Sequence, residues 1–158
     1  VTAAGADPRL VITRAVTRDA LLTAVDIRRQ VFGDEQRIVL PRYDDDEDWI
    51  GGITLLAWLG ELPVCTGRLL PGKFSRQGVA DIAWVATLPA FRGLGAATRV
   101  MEELLRIADD LGEERVYLSA QVYAQDLYLR LGFRPFLDEY TIHGIKHRPM
   151  VRQRAHGD

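Results

Sequence analysis

The sequence has almost no cysteine, no excess of either charge and no long apolar run, and each lack removes a class of function. The single Cys65 cannot close an internal disulfide, which points to a reducing compartment and a fold held by its core. In Val64-Cys65-Thr66 it reads as a small apolar strand residue, since no companion histidine marks a catalytic thiol. Twenty basic side chains stand against twenty-two acidic ones, a net charge of −2, with no Lys/Arg block. That balance argues against nucleic acid as a partner. The longest apolar run, 53–59, is far short of the ~18 residues that cross a bilayer, so no membrane partner is expected. Residues 1–9 form a small, polar, loose arm without the basic start and apolar middle of a signal peptide, and cytoplasm is the expected location.

A chain of 158 residues, about half apolar, suits one compact domain. We place it at 10–153, with 154–158 as a tail. Strand character at 10–16 gives way, after the N-cap candidate Thr17, to a helical pattern over 18–32 that Gly33 should break. An acidic, Pro- and Gly-punctuated connection follows to residue 52, with at most one helical turn. Segments 54–59 and 64–70 read as a hairpin, and 78–87 as the next strand. From Gly95, the residues Ala97, Val100, Met101, Leu104, Leu105, Ala108 and Leu111 follow a 3.6-residue period that Gly112 ends. Strands at 116–120, 133–137 and 145–152, with a short helix at 124–131, complete an α/β (α+β) pattern around one mixed sheet.

The stretch with the most chemistry is Val85-Ala86-Thr87-Leu88-Pro89-Ala90-Phe91-Arg92-Gly93-Leu94-Gly95-Ala96-Ala97-Thr98, a strand leading through small residues into the long helix. Little side-chain bulk at Gly93, Gly95, Ala96 and Ala97 lets a diphosphate reach the unpaired N–H groups of the first helical turn, and Arg92 adds a full charge at the rim. The same residues could simply make a tight turn. A nicotinamide cofactor is disfavoured, because the following strand ends in Gln121 and not in an acidic residue for a ribose hydroxyl.

Arg92-Gly93-Leu94-Gly95-Ala96-Ala97 resembles the acetyl-CoA signature R/Q-x-x-G-x-G/A of the GNAT superfamily. Gln121-Val122-Tyr123-Ala124-Gln125-Asp126-Leu127-Tyr128, continuing to Leu131-Gly132-Phe133, resembles that family's N-x-x-A-x-x-L/F-Y-x-x-x-G-F, with Gln in place of the usual Asn. Val31 to Gln36, Leu118 to Gln121 and Gly144-Ile145-Lys146-His147 extend the likeness to the ElaA-like branch. The resemblance implies a central mixed, mostly antiparallel β-sheet flanked by helices, with acetyl-CoA as cosubstrate and direct acetyl transfer to an amine in a ternary complex.

It also implies roles. Val85, Ala86 and Thr87 would pair with the pantetheine arm and polarise the thioester carbonyl; Arg92, Gly93, Leu94, Gly95, Ala96, Ala97 and Thr98 would hold the pyrophosphate, and Gln121 would belong to the same cofactor site. Tyr128 matches the tyrosine that protonates the departing thiolate, its bland alternative being a core aromatic. Asp81 stands where some protein-acetylating relatives carry a catalytic Glu, and Glu35 belongs to the ElaA-like Glu-Gln pair. Either could assist deprotonation of the amine, or serve only as a strand-edge or helix-end charge. Asp44, Asp46 and Asp48 begin like a calcium loop, but Trp49 replaces its glycine and Leu55 its bidentate Glu. No metal is expected. The acidic run reads as a solvated loop or a landing surface for a cationic acceptor, and His143 and His147 as surface or turn residues. A rival reading is a non-catalytic acyl-CoA-binding module. An edge strand near the C-terminus could pair two copies into a homodimer.

Overall fold

A computed structural model describes residues 5–155; the first four and last three residues of the expected terminal arms lie outside that range. The elements are β1 (Leu10–Arg14), α1 (Arg18–Arg28), α2 (Glu47–Ile50), β2 (Ile53–Leu59), β3 (Leu62–Leu70), β4 (Val79–Thr87), α3 (Ala96–Asp110), β5 (Arg115–Gln121), α4 (Gln125–Arg130), β6 (Arg134–Pro135), β7 (Tyr140–Ile142) and β8 (Ile145–Gln153). The strands form one mixed sheet in the order β1-β2-β3-β4-β5-β8-β6, with β7 also beside β8. All pairs are antiparallel except β4 with β5, which α3 connects as a crossover.

Helices cover both faces. Val100, Met101, Leu104, Leu105 and Ala108 of α3 are buried against strand residues Leu55, Leu69, Ala80, Ile82, Val116 and Leu118, and Tyr128, Phe133 and Met150 complete this main core. On the other face, Ala24 and Ile27 of α1, with Val31, pack on Leu56 and Ala86. The amphipathic period read at 97–111 is thus the stripe that meets the sheet.

Several expectations shift. The helix from residue 18 does not stop at Gly33. α1 runs on as a π-helical segment, Arg29–Glu35, whose widened turn shows in the bond from the Gln36 N–H to the Val31 carbonyl (3.0 Å). Gly33 serves packing instead: a Cβ there would meet the Tyr43 hydroxyl at 2.7 Å. The strand expected over 133–137 shrinks to two residues, and β7 was not foreseen. With β6 and β7 lying along it, β8 is interior, and the C-terminal edge falls to those two short strands. The N-terminal arm is anchored from Asp7, whose N–H donates to the Leu94 carbonyl (2.8 Å).

The acidic connection is not a solvated loop. Asp48 is fully buried and binds Arg28 through two hydrogen bonds (2.9 and 3.0 Å) and Arg68 through a third (3.1 Å). Asp45 takes a further bond from Arg68 (2.6 Å) and one from the Trp84 indole N–H (3.2 Å). The run closes over its arginines, which leaves little of it as a landing surface for a cation. Asp46 and Glu47 keep the exposure expected of them, Asp46 with its side chain 81% exposed beside Arg42.

Candidate active site

Sequence brings β4 and β5 together for only three residue pairs, Val79 with Arg115, Ala80 with Val116 and Asp81 with Tyr117. Beyond Asp81 the two strands part. The edge of β4 that faced β5 is then left without a strand partner over 82–87, which provides the backbone groups an extended ligand needs.

A bulge sits on that segment. Thr66 pairs with Ala86 but Arg68 pairs with Ala83, so Gly67 alone faces both Trp84 and Val85. Trp84 adopts φ 60°, a conformation that costs a bulky residue about 1–3 kcal/mol and must be held from outside. Its indole is held three ways: Asp45 accepts its N–H, the Arg28 guanidinium lies 4.9 Å above the ring, and Phe32 meets it edge-on at 5.7 Å. The buried Arg28-Asp48-Arg68-Asp45 cluster therefore supports the wall of the parted strands.

After β4 the chain turns through Pro89–Phe91 into the small-residue loop and α3. Gly95 caps the helix in a left-handed conformation (φ 81°) without a side-chain cap bond, so the first N–H groups of a four-turn helix stay available to an anion. The glycine is required on two counts, since a Cβ there would also lie 2.7 Å from the Ala6 Cα.

The parted strands and this helix end open onto one cavity of about 1050 Å³. Val85, Ala86, Thr87, Arg92, Gly93, Gly95, Ala96, Ala97, Thr98, Gln121 and Tyr128 all line it. Leu94 does not, and packs against the main core instead. Neither Asp81 nor Glu35 is among the lining residues.

Those two carboxylates are in different situations. Asp81 sits where β4 and β5 still pair, with Arg76 at 3.4 Å and the Ser75 hydroxyl at 3.5 Å; burial pushes its pKa up against the pull of Arg76. Glu35 holds Arg92 in a bidentate pair, 2.6 Å at each oxygen, and that hydrogen-bonded guanidinium keeps its pKa below the usual carboxylate range. Next to it, Gln36 and Gln121 exchange reciprocal amide hydrogen bonds (3.0 and 2.8 Å), and Gln36 also donates to the Tyr123 hydroxyl (3.2 Å). Two consecutive residues at the end of the π-helical turns thus fasten both arms of the opening, Glu35 to the loop after β4 and Gln36 to the end of β5.

Tyr128 is buried, edge-on to Phe133 (6.1 Å), and burial is the first cause that raises its pKa. It stays protonated through neutral pH, as a proton donor must. Cys65 is buried near it, with the Thr87 hydroxyl 3.3 Å from its sulfur; burial pushes this thiol up to about 12. It is an inert core residue by that measure, as expected.

Sequence reasoning missed part of the lining. Phe32 and Trp84 form one wall, while Ser119, Tyr140, Ile142 and His147 come from β5, β7 and β8. His147 corrects an expectation: it is no surface or turn residue but a cavity residue, stacked on Tyr140 with centroids 5.5 Å apart. Its signal in the sequence was the two-residue alternation of β8, legible only once the register with Gln121 and Tyr140 is known. His143 does lie in the β7–β8 turn, at φ 52°.

The acetyltransferase (GNAT) family model matches residues 16–133. Protein ElaA of Escherichia coli is 29% identical over 136 residues, 84% of this chain and 87% of ElaA. Its crystal structure superposes with a TM-score of 0.80 at 25% identity over 91% of this chain and 99% of that one. An acyl-CoA N-acyltransferase from Pseudomonas aeruginosa gives a TM-score of 0.80 at 30% identity, covering 90% of this chain and 99% of its own. A Bacillus subtilis acetyltransferase solved in complex with CoA shares the fold alone, with a TM-score of 0.64 at 16% identity, covering 93% of this chain and 99% of that one.

Proposed function

We propose that this chain, which belongs to the acetyltransferase (GNAT) family and is an acyltransferase of ElaA-like type, transfers acetyl from acetyl-CoA directly to an amine. The observation that carries the reading is the meeting, in one cavity, of an unpaired β4 edge, an uncapped helix N-terminus and a buried, protonated tyrosine.

The roles follow from position. Val85, Ala86 and Thr87 offer backbone groups to the pantetheine arm, and an N–H there that meets the thioester oxygen as charge develops would lower the barrier by roughly 3 kcal/mol. Gly93 to Thr98 receive the pyrophosphate with Arg92, which exchanges Glu35 for phosphate oxygens; Leu94 contributes its backbone while its side chain anchors the loop. Gln121, fixed by Gln36, borders the pantetheine. The amine attacks the acyl carbon, the C–S bond breaks, and Tyr128 protonates the sulfur. No covalent enzyme intermediate is required. Asp81 and Glu35 stand outside the cavity and act only through their arginines: Asp81 holds Arg76 at the closed end of the strands, and Glu35 is the counterion that holds Arg92 until the cofactor arrives.

Calorimetric titration with acetyl-CoA tests the cofactor site, on the wild type and on Ala97→Glu. Glu is tolerated in the first turn of a helix but would put a carboxylate where the pyrophosphate should lie. Binding that is lost in the folded variant supports the site; binding that survives unchanged removes it.

A further inference from the structure

Each carboxylate around the cavity already has an arginine. Asp45 and Asp48 hold Arg68 and Arg28, Asp81 faces Arg76, and Glu35 is bidentate on Arg92. None of the four lines the cavity. Yet an alkyl amine is mostly protonated near neutral pH, so direct attack on a thioester needs a group in the cavity to take a proton from nitrogen.

His147 is in the cavity. It stands on β8 directly across from Gln121, the last residue of β5, and from Tyr140 on β7, so these three side chains share one face of the sheet. Gln121 on that face reaches Gln36, which places the imidazole on the π-helix side of the parted strands. The ring is held twice. Tyr140 stacks on it with planes 21° apart, and Tyr140 is itself fixed by a hydroxyl-to-hydroxyl bond with Ser119. Its Nδ1 lies 2.9 Å from the Ile145 carbonyl oxygen. A carbonyl can only accept, so Nδ1 carries the hydrogen and Nε2 of the neutral ring carries the lone pair. Nε2 is not among the buried atoms left without a partner, and it bonds to no described residue, which leaves that lone pair open to a molecule in the cavity.

We propose that His147 is the general base of acetyl transfer, an inference that rests on the amine-acetylation reading above. Nε2 takes one proton from the ammonium; the freed nitrogen bonds to the acyl carbon, the C–S bond breaks, and sulfur takes the proton of Tyr128. The second proton that nitrogen loses in becoming an amide restores the tyrosinate through solvent, and the imidazolium gives its own to solvent, so ammonium and thioester become amide, thiol and one solvent proton. The titratable side chain against the ring is Tyr140, and Tyr123 is reached through Gln36. Alternation along β8 sends Lys146 and Arg148 to the other face, where Arg148 is held by Glu139 (3.1 Å).

The test compares the wild type with His147→Asn, His147→Gln and Asp81→Asn, using acetyl-CoA and two probe amines of different basicity, benzylamine and 4-methoxyaniline. In the His147 variants acetyl-CoA affinity should be unchanged, while kcat/KM for benzylamine falls by about 100-fold or more and its acid limb disappears from the pH profile. The loss should be much smaller for the arylamine, which is already unprotonated. Asp81→Asn should keep the acid limb. An acid limb that survives in the His147 variants, or equal losses for both amines, would overturn the proposal, the second by assigning the ring a structural role. Should the variants fail to fold, the imidazole ¹⁵N shifts of the wild type decide: the Nδ1–H tautomer supports the base, and the Nε2–H tautomer overturns it. A wild type that binds acetyl-CoA but acetylates neither amine removes the amine reading and the base with it, whereas normal turnover with unaffected variants removes the base alone.

Discussion

Replacing Asp48 by alanine should be among the most destabilising single changes in this chain, and the reason is legible atom by atom. The carboxylate accepts from both terminal nitrogens of Arg28, from Arg68, and from the backbone N–H of Asp45 (2.9 Å), with no exposed side-chain surface on either Asp48 or Arg28. Among the described residues Arg28 has no other carboxylate and also keeps its Nε without a partner, so Asp48→Ala leaves a buried guanidinium uncompensated. Removing one member of such a pair costs about 3–5 kcal/mol. For a chain of this length each kcal/mol lowers Tm by roughly 2–4 °C, so a drop of about 10–15 °C is expected. The double replacement Arg28→Met/Asp48→Leu should recover most of that, because an apolar pair removes both charges together. Thermal and denaturant unfolding read both variants. An Asp48→Ala loss below about 1 kcal/mol, or a double variant no better than the single, would refute the reasoning.

The same cluster sets an acid limit. Burial alone would raise the Asp48 pKa, but Arg28, the Asp45 N–H and Arg68 outweigh it and hold the group below the usual carboxylate value. A depressed folded pKa means that this contribution is complete above the unfolded value of ~3.9 and is lost as pH falls through the lower folded one. Asp48→Asn should therefore flatten the acid end of the stability profile.

Tyr128→Phe should lower kcat by about 100-fold while leaving acetyl-CoA affinity and stability nearly intact, because the ring contact with Phe133 survives and only the proton donor is lost; a change in kcat under threefold would remove its role. Glu35→Gln should tighten acetyl-CoA binding by up to about fivefold, since Arg92 no longer leaves a half-exposed ion pair to meet phosphate, and Arg92→Ala should weaken it. Calorimetry at two ionic strengths checks both, and an unchanged affinity in both variants would show that Arg92 never meets the cofactor. The His147 variants described above carry the fifth prediction, loss of the acid limb with benzylamine.

Much of the site could be read from local sequence because its chemistry is local. A loop of Gly93, Gly95, Ala96 and Ala97 followed by a strongly amphipathic run states its own geometry, and the α3 stripe was placed within a residue at each end. What could not be read depends on distant partners. Gly33 looks like a helix stop until Tyr43 is seen packed against it. The acidic run looks solvated until Arg28 and Arg68, from another helix and strand, are found inside it. Glu35 looks like a free acid until Arg92, 57 positions away in sequence, closes on it. His147 looks like a turn residue because β7 is three residues long, too short to announce the hairpin that turns the imidazole into the cavity.

The most direct test of acetyl transfer is to follow thiol release from acetyl-CoA by the wild-type protein with and without benzylamine, and to weigh the product by mass spectrometry. Amine-dependent release, with one acetyl group added to the amine for each CoA set free, is the predicted result. Tight acetyl-CoA binding with no release across a broad panel of amines would contradict it, and would leave a cavity that holds the cofactor without passing its acyl group on.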